Sequence, residues 1–261
     1  MRNQNSMFNL SGKVGLVTGS SRGIGRAIAE QLAFAGAKVV ISSRKIEACQ
    51  LVVEELTEAG CTAAAIACNV SNKEDLENLV KETLSKFGHI DVLVLNAAAN
   101  PAYGPSSELS DDVFDKIWQT NVKGVLQLCN MVLPGMAERS DGAVIIISSI
   151  AAVKGSAVLG AYAISKAAEA QLARNLAVEW GKHNIRVNAI APGLVRTDFS
   201  QELWENPKLV KHIEATTPLG RIGEPDDIAG VAVCLAAAAG KFITGQYIVV
   251  DGGVTIYSGG I

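Results

Sequence analysis

The sequence predicts a doubly wound α/β fold, a parallel sheet of about seven strands with helices on both faces. Three observations lead there. Short apolar runs of strand length alternate with longer helical patterns through the whole chain. The first apolar run passes through a glycine-rich turn straight into a helix pattern. No linker, repeat or break in composition interrupts the alternation, so residues 1–261 read as one domain. Strand–helix–strand units of this kind take right-handed crossovers, which makes the sheet parallel.

Taken in order, residues 1–10 form a short extension and residues 13–18 the first strand. Ile24, Ile28 and Leu32 share one face of the first helix, which stops at Gly36. Residues 37–42 are the second strand, followed by a helix over 46–59 with Gly60 as its stop. Residues 62–68 are the third strand. Ser71 and Glu74 have the spacing of a capping box for a helix running to Phe87. Residues 91–95 are the fourth strand, and a Pro- and Gly-bearing loop over 100–107 leads to a long helix from Asp111, expected to break near Pro134-Gly135. A fifth strand at 143–147 precedes a helix over 158–180. A sixth at 185–191 is closed by Pro192-Gly193, and a seventh at 246–250 follows a helix opened by Pro225 and ended near Gly240. Residues 194–218 fit neither period cleanly. A stretch of that length beyond a strand's C-terminal end is a candidate substrate lid.

Composition excludes several classes. A net charge of -3 gives no general attraction to nucleic acid or an anionic membrane. Cys49, Cys61, Cys68, Cys129 and Cys234 form no CxxC pair, the pattern of reduced thiols in a cytoplasmic protein. His89, His183 and His212 are far apart and make no metal-ligand spacing, so no metal is expected. The first eleven residues carry no signal-peptide core, and the longest apolar stretch, 228–239, is too short to span a bilayer. Asn69-Val70-Ser71 matches a glycosylation acceptor, which without a secretion signal reads as chance, and Ser258-Gly259-Gly260-Ile261 is no peroxisomal address.

Two stretches carry chemistry. Gly19, Ser21, Arg22, Gly23, Ile24 and Gly25 lie between the first strand and the first helix, where a helix N-terminus meets a phosphate. Their G-x-x-x-G-x-G spacing differs from the common dinucleotide fingerprint, but the position is the same. At the end of the second strand an acid would favour NAD and a base NADP. Ser43, Arg44 and Lys45 stand there, with no acid before Glu47, and Arg22 is a possible second cation. This predicts NADP(H) in preference to NAD(H); the alternative is a pair of ordinary surface cations. The second stretch runs from Ser149 to Lys166. Tyr162 and Lys166 are four apart on one helix face, and Ser149 sits at a strand end. A free phenol titrates near 10, and a nearby ammonium lowers that value, so the three residues read as a proton-transfer site. The bland alternative is a helical Tyr beside a surface Lys.

With these residues placed, the chain resembles a single-domain short-chain dehydrogenase/reductase over about residues 10–253. The resemblance rests on Thr18-Gly19-x-x-x-Gly23-Ile24-Gly25, Asn96-Ala97, Asn121 in Asn121-Val122-Lys123-Gly124, Ser149, Tyr162-x-x-x-Lys166 and Pro192-Gly193. Ser43-Arg44-Lys45, residues 96–101, 148–152 and 191–194 are similar to the NADP-dependent carbonyl/retinal reductase subgroup. The resemblance implies a Rossmann-type fold and four catalytic roles. Tyr162 would be the acid and base, Lys166 would lower its pKa and hold the nicotinamide ribose, Ser149 would orient the substrate oxygen, and Asn121 would hold a water linking Lys166 to solvent. It also implies Asn69 and Val70 at the adenine, Val195 and Thr197 at the carboxamide, and a homotetramer. Asn69 stands where the family usually has Asp, and Ala98 where many members have Gly.

The expected function is therefore interconversion of small-molecule ketones or aldehydes and alcohols by hydride transfer. The alternatives are a 3-oxoacyl-carrier-protein reductase, a sugar or polyol dehydrogenase, or a non-catalytic dinucleotide-sensing protein. Apolar Phe199, Leu203 and Trp204 in the lid stretch argue against sugars.

Overall fold

Seven short apolar runs line up as one parallel sheet in the order β3-β2-β1-β4-β5-β6-β7. A computed structural model describes residues 7–258 of the chain; residues 1–6 of the expected extension and the last three of the C-terminal tetrapeptide lie outside them. The strands are β1 (Val14–Thr18), β2 (Lys38–Ser43), β3 (Ala63–Ala67), β4 (Val92–Leu95), β5 (Gly142–Ile147), β6 (Ile185–Pro192) and β7 (Tyr247–Val250). The helices are α1 (Gly23–Phe34), α2 (Ile46–Glu58), α3 (Lys73–Phe87), α4 (Asp111–Trp118), α5 (Gly124–Arg139), α6 (Gly160–Trp180), α7 (Gln201–Trp204), α8 (Pro207–Thr216) and α9 (Pro225–Ala236).

The central strands are apolar at nearly every position because both faces are covered. Every residue of β1, β4 and β5 is buried, while the edge strands β3 and β7 are only partly so. Alternate residues feed two cores. Val17, Val39, Ile41, Val94 and Ile145 pack with Ile28, Leu32, Val52, Ala232 and Leu235 on the α1, α2 and α9 side. Leu16, Val40, Leu93, Val144 and Ile146 pack with Leu76, Leu128, Leu133 and Leu176 on the α3, α5 and α6 side. Strand order reverses between β1 and β4, which pair in register Leu16 to Leu93. Such a switch point is where an open sheet takes its ligand, beyond the strands' C-terminal ends.

The structure departs from the sequence expectations at three places. Asn72, not Ser71, caps α3, its Oδ1 accepting from the Glu74 and Asp75 amides at 2.8 and 3.2 Å. The helix from Asp111 does not break at Pro134. Pro134 is exposed within α5, and burial of Val132, Leu133 and Met136 outweighs the cost of about 3 kcal/mol for an interior Pro. The interruption comes earlier, as a π turn at Gln119–Lys123. Residues 194–218, expected without regular structure, contain α7 and the ten-residue α8, which Asn206 caps and Pro207 opens.

Candidate active site

Helix α6 carries the chemistry of the cleft on one face. Lys166 is 2% exposed, and its Nζ donates to the Ile147 carbonyl at the end of β5 and to Glu169 Oε1, both at 2.9 Å. The same Nζ lies 5.5 Å from the centroid of the Tyr162 ring. Ser148 ties strand to helix by donating to the Lys166 carbonyl at 2.8 Å. Ser149 follows in extended backbone and caps the short turn Ile150–Ala152, its Oγ accepting from the Ala151 amide at 3.1 Å. Tyr247 on β7 donates its hydroxyl to the Ser149 carbonyl. Asn121 sits fully buried in the π turn. Its side-chain amide accepts from Ala99 N at 2.8 Å and donates to Ala99 O and Ser165 Oγ.

Burial dominates the electrostatics here. The Tyr162 phenol is displaced upward, first by desolvation; Lys166 and the Ser149 hydroxyl oppose this, while Glu169 and Tyr103 reinforce it. The sequence expectation that the ammonium would lower the phenol is thus corrected for the chain alone: the ammonium acts in that direction but loses to desolvation. Glu169 is pushed up to about 7, because burial costs its carboxylate more than Lys166 restores. Among the described residues its Oε2 has no hydrogen-bond partner. Lys166 is raised above the usual ammonium range: desolvation pulls it down, but Glu169 and Tyr162 together more than offset that.

The glycine loop lies at the C-terminal end of β1, on the same edge of the sheet. Gly19 and Gly23 have positive φ, +64° and +56°. A Cβ on Gly19 would come 3.0 Å from Ala97 Cα, and one on Gly25 only 2.3 Å from Asn96 Nδ2. Asn96 donates Nδ2 to the Thr18 and Gly19 carbonyls at 3.0 Å, and the Thr18 hydroxyl accepts from the Asn96 and Ala97 amides, stapling the ends of β1 and β4 together. No side chain caps α1 and no acid lies in its first turn. Its N-terminal amides are open to an anion, so Ser21, Arg22, Gly23, Ile24 and Gly25 fit a pyrophosphate. Arg22 pairs with Asp198 of the lid stretch at 2.9 Å. At the end of β2 the Ser43 hydroxyl donates to the Lys45 carbonyl at 3.2 Å and lies 3.1 Å from Cys49 Sγ. Arg44 is exposed and, among the described residues, makes no side-chain hydrogen bond or ion pair.

Other expected positions follow the C-terminal ends of β3 and β6. Val70 lines a small recess with Thr18, Ala97 and Gly124. Asn69 is exposed, its amide donating to Asp75 and its Oδ1 accepting from the Ser71 hydroxyl at 2.8 Å. Gly193 follows Pro192 at the end of β6, donates to the Val250 carbonyl, and has no room for a Cβ against Asp251. Val195 is buried and bridges to Gly223, and a Cβ on Gly23 would come 3.2 Å from Thr197 Cγ2. From the lid stretch the Phe199 ring lies 6.1 Å from the Tyr162 ring.

Sequence reasoning missed Glu169, Asp198, Tyr103 and Tyr247. The i,i+3 spacing from Lys166 could have flagged Glu169; nothing local marks Tyr247, whose place depends on the β6–β7 register. Among the described residues no cluster of three His, Cys, Asp or Glu could hold a metal, and no helix is long and apolar enough to cross a membrane.

Known proteins share this fold. The family model described as enoyl-(acyl carrier protein) reductase matches residues 19–255. "Dehydrogenase/reductase SDR family member 4" of Bos taurus is 43% identical over 244 residues, covering 94% of this chain and 88% of its own. The protein of the same name from Caenorhabditis elegans is 42% identical over 248 residues, covering 93% and 95%. A solved gluconate 5-dehydrogenase from Burkholderia cenocepacia, in complex with NADP and tartrate, superposes with a TM-score of 0.93 at 30% identity, over 97% of this chain and 99% of that one. A 7α-hydroxysteroid dehydrogenase complexed with NADH and 7-oxo glycochenodeoxycholic acid gives 0.92 at 35% identity, over 97% and 98%. The seven-stranded parallel sheet agrees with these likenesses, and the chain belongs to the short-chain dehydrogenase/reductase family of oxidoreductases.

Proposed function

We propose that this oxidoreductase is NADP(H)-dependent and interconverts ketones or aldehydes and the corresponding alcohols, with Tyr162 as the acid and base. The observation that carries the reading is the Lys166 ammonium, buried against the Tyr162 ring at a strand end where Ser149 presents its hydroxyl. The dinucleotide supplies the hydride. The chain supplies the rest. In reduction Tyr162 donates its proton to the carbonyl oxygen, and in oxidation its phenolate takes the alcohol proton back. Ser149 orients that oxygen, Lys166 favours the phenolate and offers a donor to the ribose, and Asn121 serves the proton path to Lys166. A phenol held protonated at neutral pH is ready to donate its proton in reduction.

Gly19, Ser21, Arg22, Gly23, Ile24 and Gly25 take the pyrophosphate; Asn69 and Val70 the adenine; Asn96 and Ala97 the floor of the cleft; Pro192, Gly193, Val195 and Thr197 the carboxamide. Arg44, with Ser43, faces the 2′-phosphate, and no acid stands there for a free 2′-hydroxyl. Phe199 and Tyr103 beside Tyr162 support a substrate with apolar flanks over a polyol. Residues 194–218 act as the substrate lid of one catalytic domain in a cytoplasmic enzyme. The exposed Phe114, Trp118, Leu126, Ile164 and Val178 on α4 to α6, and Phe242 near the C-terminus, support a homotetramer. Light scattering returning the 27.3 kDa of one chain would overturn that assembly.

The test of the activity is NADPH oxidation against a panel of ketones, with Tyr162→Phe beside the wild type. Turnover should fall at least about 10²-fold, the scale of general acid catalysis, with cofactor affinity little changed. A Tyr162→Phe enzyme of near-normal rate would remove the proposed role.

A further inference from the structure

A lysine ammonium has three protons to give. In this chain two are already spent, on the Ile147 carbonyl and on Glu169 Oε1, each at 2.9 Å. Glu169 follows Lys166 by three residues on α6 and is 1% exposed, and among the described residues its second oxygen has no hydrogen-bond partner. A buried carboxylate with one unmet oxygen is costly, and well-packed apolar side chains in place of such a pair are often neutral or stabilising. Its place one turn behind the Tyr162–Lys166 pair gives it a role that packing does not require. We propose that Glu169 is a positioning residue that governs how strongly Lys166 acts on Tyr162, adding a third ionisable group to the site. The proposal rests on Tyr162 being the acid and base.

The electrostatics run the same way. The titratable groups bearing on this cluster are Tyr162, Lys166 and Glu169 on α6, Tyr103 from the loop after β4, and Tyr247 from β7; β5 and the π turn bring neutral groups, the Ile147 carbonyl and the Asn121 amide. The Glu169 carboxylate pushes the Tyr162 phenol up, whereas Lys166 pulls it down. With Glu169 itself raised to about 7, the group is neutral below that pH and the ammonium acts unopposed. Above it the carboxylate cancels much of the ammonium's effect and keeps the phenol protonated. Glu169 thereby biases the site toward proton donation, that is toward reduction, as pH rises.

The experiment is an ultraviolet difference titration of phenol ionisation in the ligand-free protein. It is run on wild type and Glu169→Gln, each also in a Tyr162→Phe background so that the Tyr162 band is isolated by subtraction. Glutamine keeps the shape and the acceptor carbonyl but cannot ionise. The Tyr162 midpoint should fall by about one pH unit or more, from the loss of one buried charge whose partner ammonium lies 5.5 Å from the Tyr162 ring. The alkaline limb of ketone reduction should move down with it. Glu169→Asp, which keeps the charge, should restore most of the wild-type midpoint; if Asp moved it as far as Gln, the effect would be steric and the proposal would fall. In carbon-13-labelled wild type, independently of any variant, one Glu carboxyl should titrate near neutrality, far above ordinary glutamates. Absence of such a carboxyl, or an unmoved phenol midpoint in Glu169→Gln, overturns the proposal. Normal turnover in Tyr162→Phe would instead sink the acid–base reading while leaving the titration result standing, so the two failures are distinct.

Discussion

Two ion pairs flank the same cleft at the same separation. Lys166–Glu169 and Arg22–Asp198 each measure 2.9 Å, yet the side chains of the first pair are both 2% exposed and those of the second 68% and 61%. Distance alone would rank them equal. At 4 Å a pair of unit charges is worth about 1 kcal/mol in water and about 4 kcal/mol at the effective polarity near a protein surface. Desolvation then divides them further. The buried pair has no solvent to fall back on, so losing one partner strands the other. The exposed pair can part and rehydrate at little cost. On the proposed function the cleft therefore has a committed end, where protons would move, and an exchangeable end, where Arg22 would leave Asp198 for an incoming phosphate.

The comparison breaks hardest at Lys166. Lys166→Met should cut ketone reduction at least about 10²-fold and destabilise the fold by about 3–5 kcal/mol, because Glu169 is left buried without a cation. The pH dependence carries the sign. The folded pKa of Glu169, about 7, lies above its ordinary 4.5, and removing Lys166 takes away what lowers it. A carboxyl raised in the folded state contributes its full stability below the unfolded pKa and loses it as pH rises through the folded one. The deficit of the variant should therefore be largest near pH 9 and shrink toward pH 5. Urea unfolding at both pH values decides it; a deficit that does not change with pH would mean that Glu169 is not the stranded charge.

A smaller effect is expected where the exchangeable end meets the cofactor. Among the described residues Arg44 has no side-chain partner, and a 2′-phosphate there would gain charge-assisted hydrogen bonds of roughly 1.5–3 kcal/mol each. Solvent screening holds the sum near the lower figure, so NADP(H) should be preferred by about tenfold to a few hundredfold. Ser43→Asp with Arg44→Ala should reverse this, since the acid repels phosphate and accepts from the free hydroxyl. The measurement is kcat/KM for both cofactors in both proteins. Equal use of NADH by the wild type would leave Arg44 as a solvent-facing cation.

The strands and most helices were legible because central β-strands covered on both faces read as unbroken apolar runs, and because glycines such as Gly36 and Gly60 stop helices by their own geometry. The pairing of Tyr162 with Lys166 was legible because helix periodicity is local. What escaped depends on packing. The chain shows Pro134 but not the burial of Val132, Leu133 and Met136 that carries α5 through it. It shows polar Ser71 and Asn72 side by side without showing which has the extended backbone of a cap. The direction of the Tyr162 displacement needed the depth of the phenol and the burial of Glu169 beside Lys166, which spacing alone does not show.

The smallest effect belongs to the exposed pair itself. If Arg22–Asp198 is exchangeable, Asp198→Asn should change the unfolding free energy by less than about 1 kcal/mol, the usual range for a surface ion pair. Freed from its partner, Arg22 remains at the N-terminus of α1, where the proposed function puts the cofactor phosphates. The preference for NADPH over NADH should then stay level or rise by up to about fivefold, equivalent to about 1 kcal/mol, and the gain should fade as salt is added. The opposite sign is equally readable. A loss of NADPH affinity in Asp198→Asn at low salt would show that Asp198 holds Arg22 in its binding position. The two pairs would then differ in exposure alone, with both ends of the cleft committed.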